Sequence, residues 1–258
     1  MKARTELLLY QLLWLGEQAA YPTFRKLSTS FESWAYTKGL IQAINRLEHK
    51  QLLETQGRSL DRVVRLTEKG QQLLIGNRNP ENEWARDWDG TWNMVIFDIP
   101  ESERSLRRKL RDVLRTNHFG CFQQSVWLSP HSLDSINESI RKATPGLGSL
   151  TLMESRLLSG QNNIDAAKSA WNFSHINSNY KAYIKHINLF GSKSHPKNTD
   201  NFIAKEKLLW ETALSHDPLL PKQLIPRGYM GEKAYRLRKR KLPRIMDTIF
   251  KHHLKISA

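Results

Sequence analysis

Apolar residues recur along this chain with two periods, and the changes of period mark its elements. Leu7, Leu8, Leu12 and Leu15 follow Thr5 at helical spacing, so Thr5 is the expected cap of a first helix. Pro22 breaks the chain, and a short helix around Phe24 to Thr29 is expected next. Leu40, Ile44 and Leu47 share one face of a third helix, roughly Trp34 to Lys50. Leu52 and Leu53 lead into the polar GRSLDR, and Arg62 to Leu66 returns as a strand. Thr67 is then placed to cap a helix carrying Leu73 and Leu74. Three helices followed by a two-stranded hairpin predict a winged helix-turn-helix.

Gly76 to Gly90 is polar and turn-rich and reads as a linker. Trp84, Trp88 and Trp92 recur every four residues within and just after it, which predicts one helical aromatic stripe packing two domains together. Met94 to Phe97 is a short apolar run of the kind that makes a buried strand, ended by the turn at Pro100. Ser102 is the expected N-cap of the next helix, with Glu101 and Glu103 in its first turn. Leu106, Leu110, Val113 and Leu114 recur at helical spacing, while Arg104, Arg107, Arg108, Arg111 and Arg115 point elsewhere. Gly120 marks a turn, and Phe122 to Leu128 reads as a second strand. Leu133, Ile136 and Ile140 predict another helix with Ser132 as its cap. Pro145, Gly146 and Gly148 make a loop, and Leu150, Leu152 and Met153 a further strand. The order predicts a ferredoxin-like domain with one strand unplaced. Such domains often pair through the sheet, so a homodimer is expected.

Beyond Gly160 the pattern is mainly helical, with Trp171, Ile176, Tyr180, Ile184 and Ile187 at near-helical spacing. The expected fold class is α+β. An N-terminal winged helix-turn-helix (1–77) is followed by a linker (78–91), a ferredoxin-like dimerisation domain (92–158) and a basic helical C-terminal domain (159–258).

Charge narrows the function. A formal net charge of +15 and a pI near 10.0 call for a polyanionic partner, of which nucleic acid is the commonest. From Lys181 to Ala258 there are 17 Lys or Arg against 6 Asp or Glu, so a surplus of 11 sits in that region. Tyr235 to Arg244, YRLRKRKLPR, holds six of these basic residues and is a candidate for phosphate contact. Cys121 is the only cysteine, which excludes an internal disulfide and a four-cysteine zinc site; it reads as a buried small hydrophobe. His252-His253 do not share a helix face, and no ligand spacing is visible, so no structural zinc is expected. No run approaches the roughly 18 apolar residues of a membrane span, and the N-terminus lacks a secretory pattern. A cytoplasmic protein is expected.

The candidate DNA-reading residues follow from the winged helix. The major groove admits one helix, and the exposed side chains of the third helix here are Tyr36, Thr37, Lys38, Gln42, Asn45 and Arg46. Arg46 suits guanine, and Gln42 or Asn45 adenine, because each offers a matching two-pronged contact. The loop Gln56 to Arg62 is the expected wing, with Arg58 and Arg62 near phosphates or a minor groove. A winged helix that binds protein instead is one alternative.

Several motifs carry a resemblance. FDIPE (97–101), the arginine-studded helix after it and QQSVWLSP (123–130) resemble the middle domain of the PaaX family of transcriptional repressors, which control phenylacetate breakdown. WDGTW (88–92) matches the same pattern. INRLEHKQLLE (44–54), Gly57-Arg58 and RLTEKG (65–70) resemble the family's N-terminal domain. Asp217, Pro218, Leu220, Pro221, Pro226, Gly231 and Ala234 carry a likeness to its C-terminal region. Tyr229-Met230 departs from the tryptophan the family commonly shows there, which bears on the local surface and on the effector. The likeness covers about residues 5 to 250.

It implies a homodimeric repressor of double-stranded DNA, without enzymatic activity or a resident cofactor. It also implies release from the operator by an aryl-acetyl-CoA effector. The middle stretch is also similar to the small ferredoxin-like subunit of CRISPR adaptation complexes, some of which are metal-dependent nucleases. That second resemblance implies an alternative, in which Asp98 at the end of the first strand binds Mg²⁺ and activates water. One carboxylate per chain is a poor magnesium site, and only Glu101 and Glu103 are close. A structural Asp98, holding the turn or pairing with a helix arginine, is therefore preferred.

Overall fold

A computed structural model describes residues 41–56, 63–70, 78–132, 134–144, 150–158, 160–190 and 199–256. The architecture is α+β, with helices and two small sheets. The chain divides into two compact units. One comprises Met1–Asn79, Ile184–Leu208 and Lys233–Ala258, and the other Pro80–Tyr183 and Leu209–Glu232.

In the first unit, α1 (Ile41–His49) is followed by the antiparallel strands β1 (Leu53–Gln56) and β2 (Val63–Leu66). Ala43, Ile44 and Leu47 are buried on one side of α1, as their spacing requires. Leu53 pairs with Leu66 and Gln56 with Val63. Thr67 caps the helical turn that follows: its hydroxyl accepts from the Gly70 amide at 3.1 Å and donates to the Gln51 carbonyl at 2.7 Å. Gly70 has no room for a side chain, because a Cβ there would lie 2.1 Å from the Leu52 carbonyl oxygen. The helices expected before Ile41, the wing loop 57–62 and Leu73-Leu74 lie outside the described residues.

The second unit opens with α2 (Pro80–Ala85), a helix inside the segment read as linker. Its Trp84 is buried. The expected tryptophan stripe does not form on one helix. The helix ends at Ala85, the chain turns at Gly90 (φ 87°), and Trp92 starts β3 (Trp92–Phe97). Trp84 packs edge-on against Tyr229, whereas Trp88 and Trp92 contact each other at 5.0 Å between ring centroids.

A 3₁₀ turn at Glu101–Glu103 leads to α3 (Arg104–Thr116). Ser102 lies inside that turn and does not cap the helix, because the chain is already wound before α3 begins. Next come β4 (Gly120–Gln123), β5 (Val126–Ser129), α4 (Asp134–Ala143) and β6 (Leu150–Ser155). The expected single strand Phe122–Leu128 is thus two strands joined by a tight turn at Gln124-Ser125, and β4 is the strand the pattern left unplaced. A register irregularity between Cys121 and Gln123 masks its alternation. The order β-α-β-β-α-β, with the fully antiparallel sheet β4-β5-β3-β6, is the ferredoxin-like arrangement.

One face of the sheet is covered by α3 and α4. Val95, Phe97 and Trp127 meet Leu110, Leu114, Ile136 and Ile140 in a single buried cluster. The opposite face begins to be covered by α5 (Asn163–Ala170), which Asn162 caps through the Ile164 amide at 2.8 Å. Gly120 is a strand residue here and not a turn. A Cβ on it would lie 2.6 Å from Ala170 and Trp171. Trp92 donates to Asn163 at 2.8 Å and Trp171 to the His118 carbonyl at 3.3 Å, locking α5 onto the sheet. Beyond α5 that face stays partly open: Met94, Ile96, Phe122 and Val126 are half-buried and Met153 is exposed. Cys121 is exposed, contrary to the buried hydrophobe expected, because β4 is an edge strand.

The remaining helices are α6 (Phe173–Asn188), α7 (Thr199–His216) and α8 (Gly231–Ile256), and each contributes residues to both units. In the second unit, Asp217 is 1% exposed. It accepts hydrogen bonds from the Tyr180 hydroxyl at 2.5 Å, the Tyr229 hydroxyl and the Leu219 amide at 2.8 Å. Burial, and then the charge of Asp217, push the Tyr229 hydroxyl far above its ordinary range. Tyr229 is thus half-buried, with its hydroxyl turned onto the buried Asp217.

Replacing Gly120 by alanine is expected to cost ~1–3 kcal/mol, because the new methyl overpacks the α5 contact. Cys121→Ala, one residue along the same edge strand, should stay within about 0.5 kcal/mol. Urea midpoints measured side by side check this; equal midpoints for the two variants would show that α5 does not seat on β4.

Candidate nucleic-acid interface

The outward side of α1 is polar because its inward side is fully used. With Ala43, Ile44 and Leu47 buried, Gln42, Asn45, Arg46 and His49 are exposed at helical spacing on the other side. Three of the predicted reading residues are therefore brought together on one short surface. His49 joins them one turn on, at a position the sequence reading did not single out. Tyr36, Thr37, Lys38, Arg58 and Arg62 lie outside the described residues.

The basic run at 235–244 is divided by the geometry of α8. Arg238 is 7% exposed, and its Nε donates to Glu206 Oε1 at 3.0 Å, a carboxylate with no solvent exposure at all. It belongs to the interior of the first unit. Lys241 donates to Asn188 Oδ1 at 2.7 Å, and the Lys239 ammonium lies 5.5 Å from the Tyr235 ring centroid. Arg236, Arg240 and Arg244 are exposed. The run is thus partly a structural device and partly a solvated face, and only the second part is open to a phosphate.

A further basic surface lies along α3, where the sequence reading assigned no role. Glu101 accepts from Arg104 Nε at 2.8 Å and from Arg107 at 2.5 Å. These bonds, the one from Arg104 foremost, hold its carboxyl below the usual range. Arg107 also donates to the Ile99 carbonyl at 2.5 Å, and Arg111 to the Gln124 carbonyl at 3.0 Å. Arg104, Arg107, Arg108, Arg111 and Arg115, with Glu101, line a groove of about 310 Å³.

Asp98 is exposed just past the end of β3. Among the described residues no group of three or more His, Cys, Asp or Glu side chains is assembled to hold a metal. Glu101, one of the two nearby carboxylates, is engaged by arginines. Among the described residues of one chain, the carboxylates near Asp98 do not assemble a magnesium site.

Residues 85–167 match the PaaX protein central Cas2-like domain, and residues 171–253 match the PaaX-like protein C-terminal domain. The chain belongs to the PaaX family. The two PaaX matches run from the end of α2 to near the end of α8. The chain is also similar to the uncharacterized protein Rv0674 from Mycobacterium tuberculosis, at 19% identity over 85% of this chain and 84% of that one, with a TM-score of 0.47. No curated protein matches it. Among the described residues no helix is long and apolar enough to cross a membrane.

Within the PaaX C-terminal match, neighbouring basic residues should respond very differently to truncation. Arg238→Ala strands the buried Glu206 and is expected to cost ~3–5 kcal/mol. Arg240→Ala, on the exposed side, should change stability by less than about 0.5 kcal/mol. Thermal unfolding of the two variants distinguishes them, and similar melting temperatures would refute the division of the run.

Proposed function

We propose that this PaaX-family chain is a homodimeric repressor that reads duplex DNA with an N-terminal winged helix-turn-helix and releases it on binding a small-molecule effector. Family membership by itself makes the chain a transcriptional regulator, in a family that is regulatory and not enzymatic. The observation that carries the finer reading is the polar face of α1. Gln42, Asn45 and Arg46 stand exposed together on the helix that precedes an antiparallel hairpin. Asn and Gln match the paired groups of adenine, and Arg those of guanine. Tyr36, Thr37 and Lys38 extend the reading surface, and Arg58 and Arg62 on the wing meet the backbone or minor groove. A DNA reader of this kind works in the cytoplasm.

The organisation that goes with this reading is the winged helix over 1–77, a linker over 78–91, a dimerisation domain over 92–158 and a basic helical domain over 159–258. The half-covered sheet face of Met94, Ile96, Val126 and Met153 supports pairing, since an apolar patch of this kind suits a second copy better than water. Two reading heads held by such a pair would occupy an inverted repeat, with half-sites about 10 base pairs apart or at a multiple of that. The effector class, an aryl-acetyl-CoA, comes from family analogy. Its action requires the ligand to bind better to a dimer geometry that misfits the operator.

Footprinting on the DNA upstream of its own gene is the primary test, with a protected palindromic window expected; no protected window at physiological salt would sink the proposal. Arg46→Ala should relax base preference at one position of each half-site, losing ~1–3 kcal/mol of discrimination while non-specific binding persists. Sedimentation provides a separate check on pairing: Met153→Asp, on the open sheet face, should shift dimer to monomer, and an unchanged dimer would place the interface elsewhere.

A further inference from the structure

The α3 groove is a strongly charged concavity among the described residues, and the reading of α1 leaves it without a role. Five arginines line it against one glutamate, an excess of four positive charges. Arginine's planar fork matches phosphate oxygens, and it is weakly hydrated enough to give up water for them. Two of the five are already oriented. Arg107 is held by the Ile99 carbonyl and Glu101, and Arg111 by the Gln124 carbonyl, so their free N–H groups need little further ordering. Arg115 is steadied over the Trp127 ring at 5.5 Å. Arg104 and Arg115 keep 83% and 62% of their side-chain surface exposed, and Arg108 is exposed as well.

The shape points to a polymer. From Arg104 to Arg115 the helix rises roughly 16 Å at 1.5 Å per residue, which, measured along a duplex axis, matches the rise of about four or five phosphates of one strand at 3.4 Å each. A row of this length on an exposed helix has no enclosing apolar wall to bury a small ligand, as small-molecule pockets do. Inside the row, the Glu101 carboxylate occupies a two-arginine anion position, between Arg104 and Arg107. It stands where a phosphate oxygen would.

We propose that the α3 groove grips the phosphate backbone of duplex DNA, separately from the base edges read by α1, and that Glu101 competes internally for Arg104 and Arg107. The groove rests on the proposed DNA-binding function and adds to it a sequence-independent hold. Such a contact contributes affinity and salt dependence but no base preference.

The full-length protein is titrated, across a salt series, against a labelled duplex carrying the protected sequence and against a scrambled duplex. Arg104→Gln with Arg108→Gln, both at exposed positions, is expected to weaken both duplexes equally. The slope of log affinity against log salt should flatten by about 2 units, close to 0.9 per lost phosphate contact. The ratio between the two duplexes should not move. Glu101→Gln should tighten binding severalfold on both. An unchanged slope in the double variant, with wild-type binding intact, overturns the groove alone. Failure of the wild-type protein to bind either duplex overturns the DNA reading, and the groove with it. Loss of inorganic pyrophosphate binding in the double variant, without any change in the DNA slope, overturns the proposal in favour of a small-anion site.

Discussion

The middle of this molecule depends on one constraint: α3 can bury only one stripe. Leu110 and Leu114 are fully inside the cluster with Val95, Phe97, Trp127, Ile136 and Ile140. Burying each such side chain contributes ~1.5–3 kcal/mol, far more than any single surface charge. The apolar stripe therefore decides how the helix is rotated. Its arginines have no route inward and become a continuous basic face. The packing of the sheet and the electrostatics of the groove are one fact seen from two sides.

Burial also sets the rules for the polar groups that go inside. Asp217 is almost fully enclosed, and it is kept by two tyrosine hydroxyls and a backbone amide. The turn it braces carries Leu219 at φ 51°, a conformation that side chains other than glycine adopt reluctantly. Glu206 is held in the same spirit by Arg238. A buried charge without a partner costs several kcal/mol, so each of these groups ties two distant stretches of chain together. The PaaX C-terminal match covers both centres.

The basic residues behind the net charge of +15 thus have different settings. Arg238 is neutralised inside by Glu206, and Arg107 and Arg111 brace backbone carbonyls. Exposed arginines stand on α1, on the outer side of α8 and along α3, where a polyanion can reach them. For a transcriptional regulator this division matters, because backbone contacts set affinity and base contacts set the address.

Local chemistry alone determined a good deal. Strand β3, the helical stripe of α3, the cap at Thr67 and the outward positions of Gln42, Asn45 and Arg46 follow from spacing and composition, since each depends on residues within one or two turns. The family motifs were legible for the same reason. What spacing misjudged depends on distant partners. Gly120 is read as a turn until Ala170 and Trp171 are seen pressed against it, some 50 residues away. The bulge in β4 hid a strand by disturbing the alternation that would have revealed it. Arg238 looks like its neighbours until Glu206 is found beside it, and the Tyr229 hydroxyl looks unengaged until it is found donating to the buried Asp217. Period and propensity report on a residue's own element; close approach, burial and charge pairing are decided where separate elements meet, and only the tertiary structure brings them together.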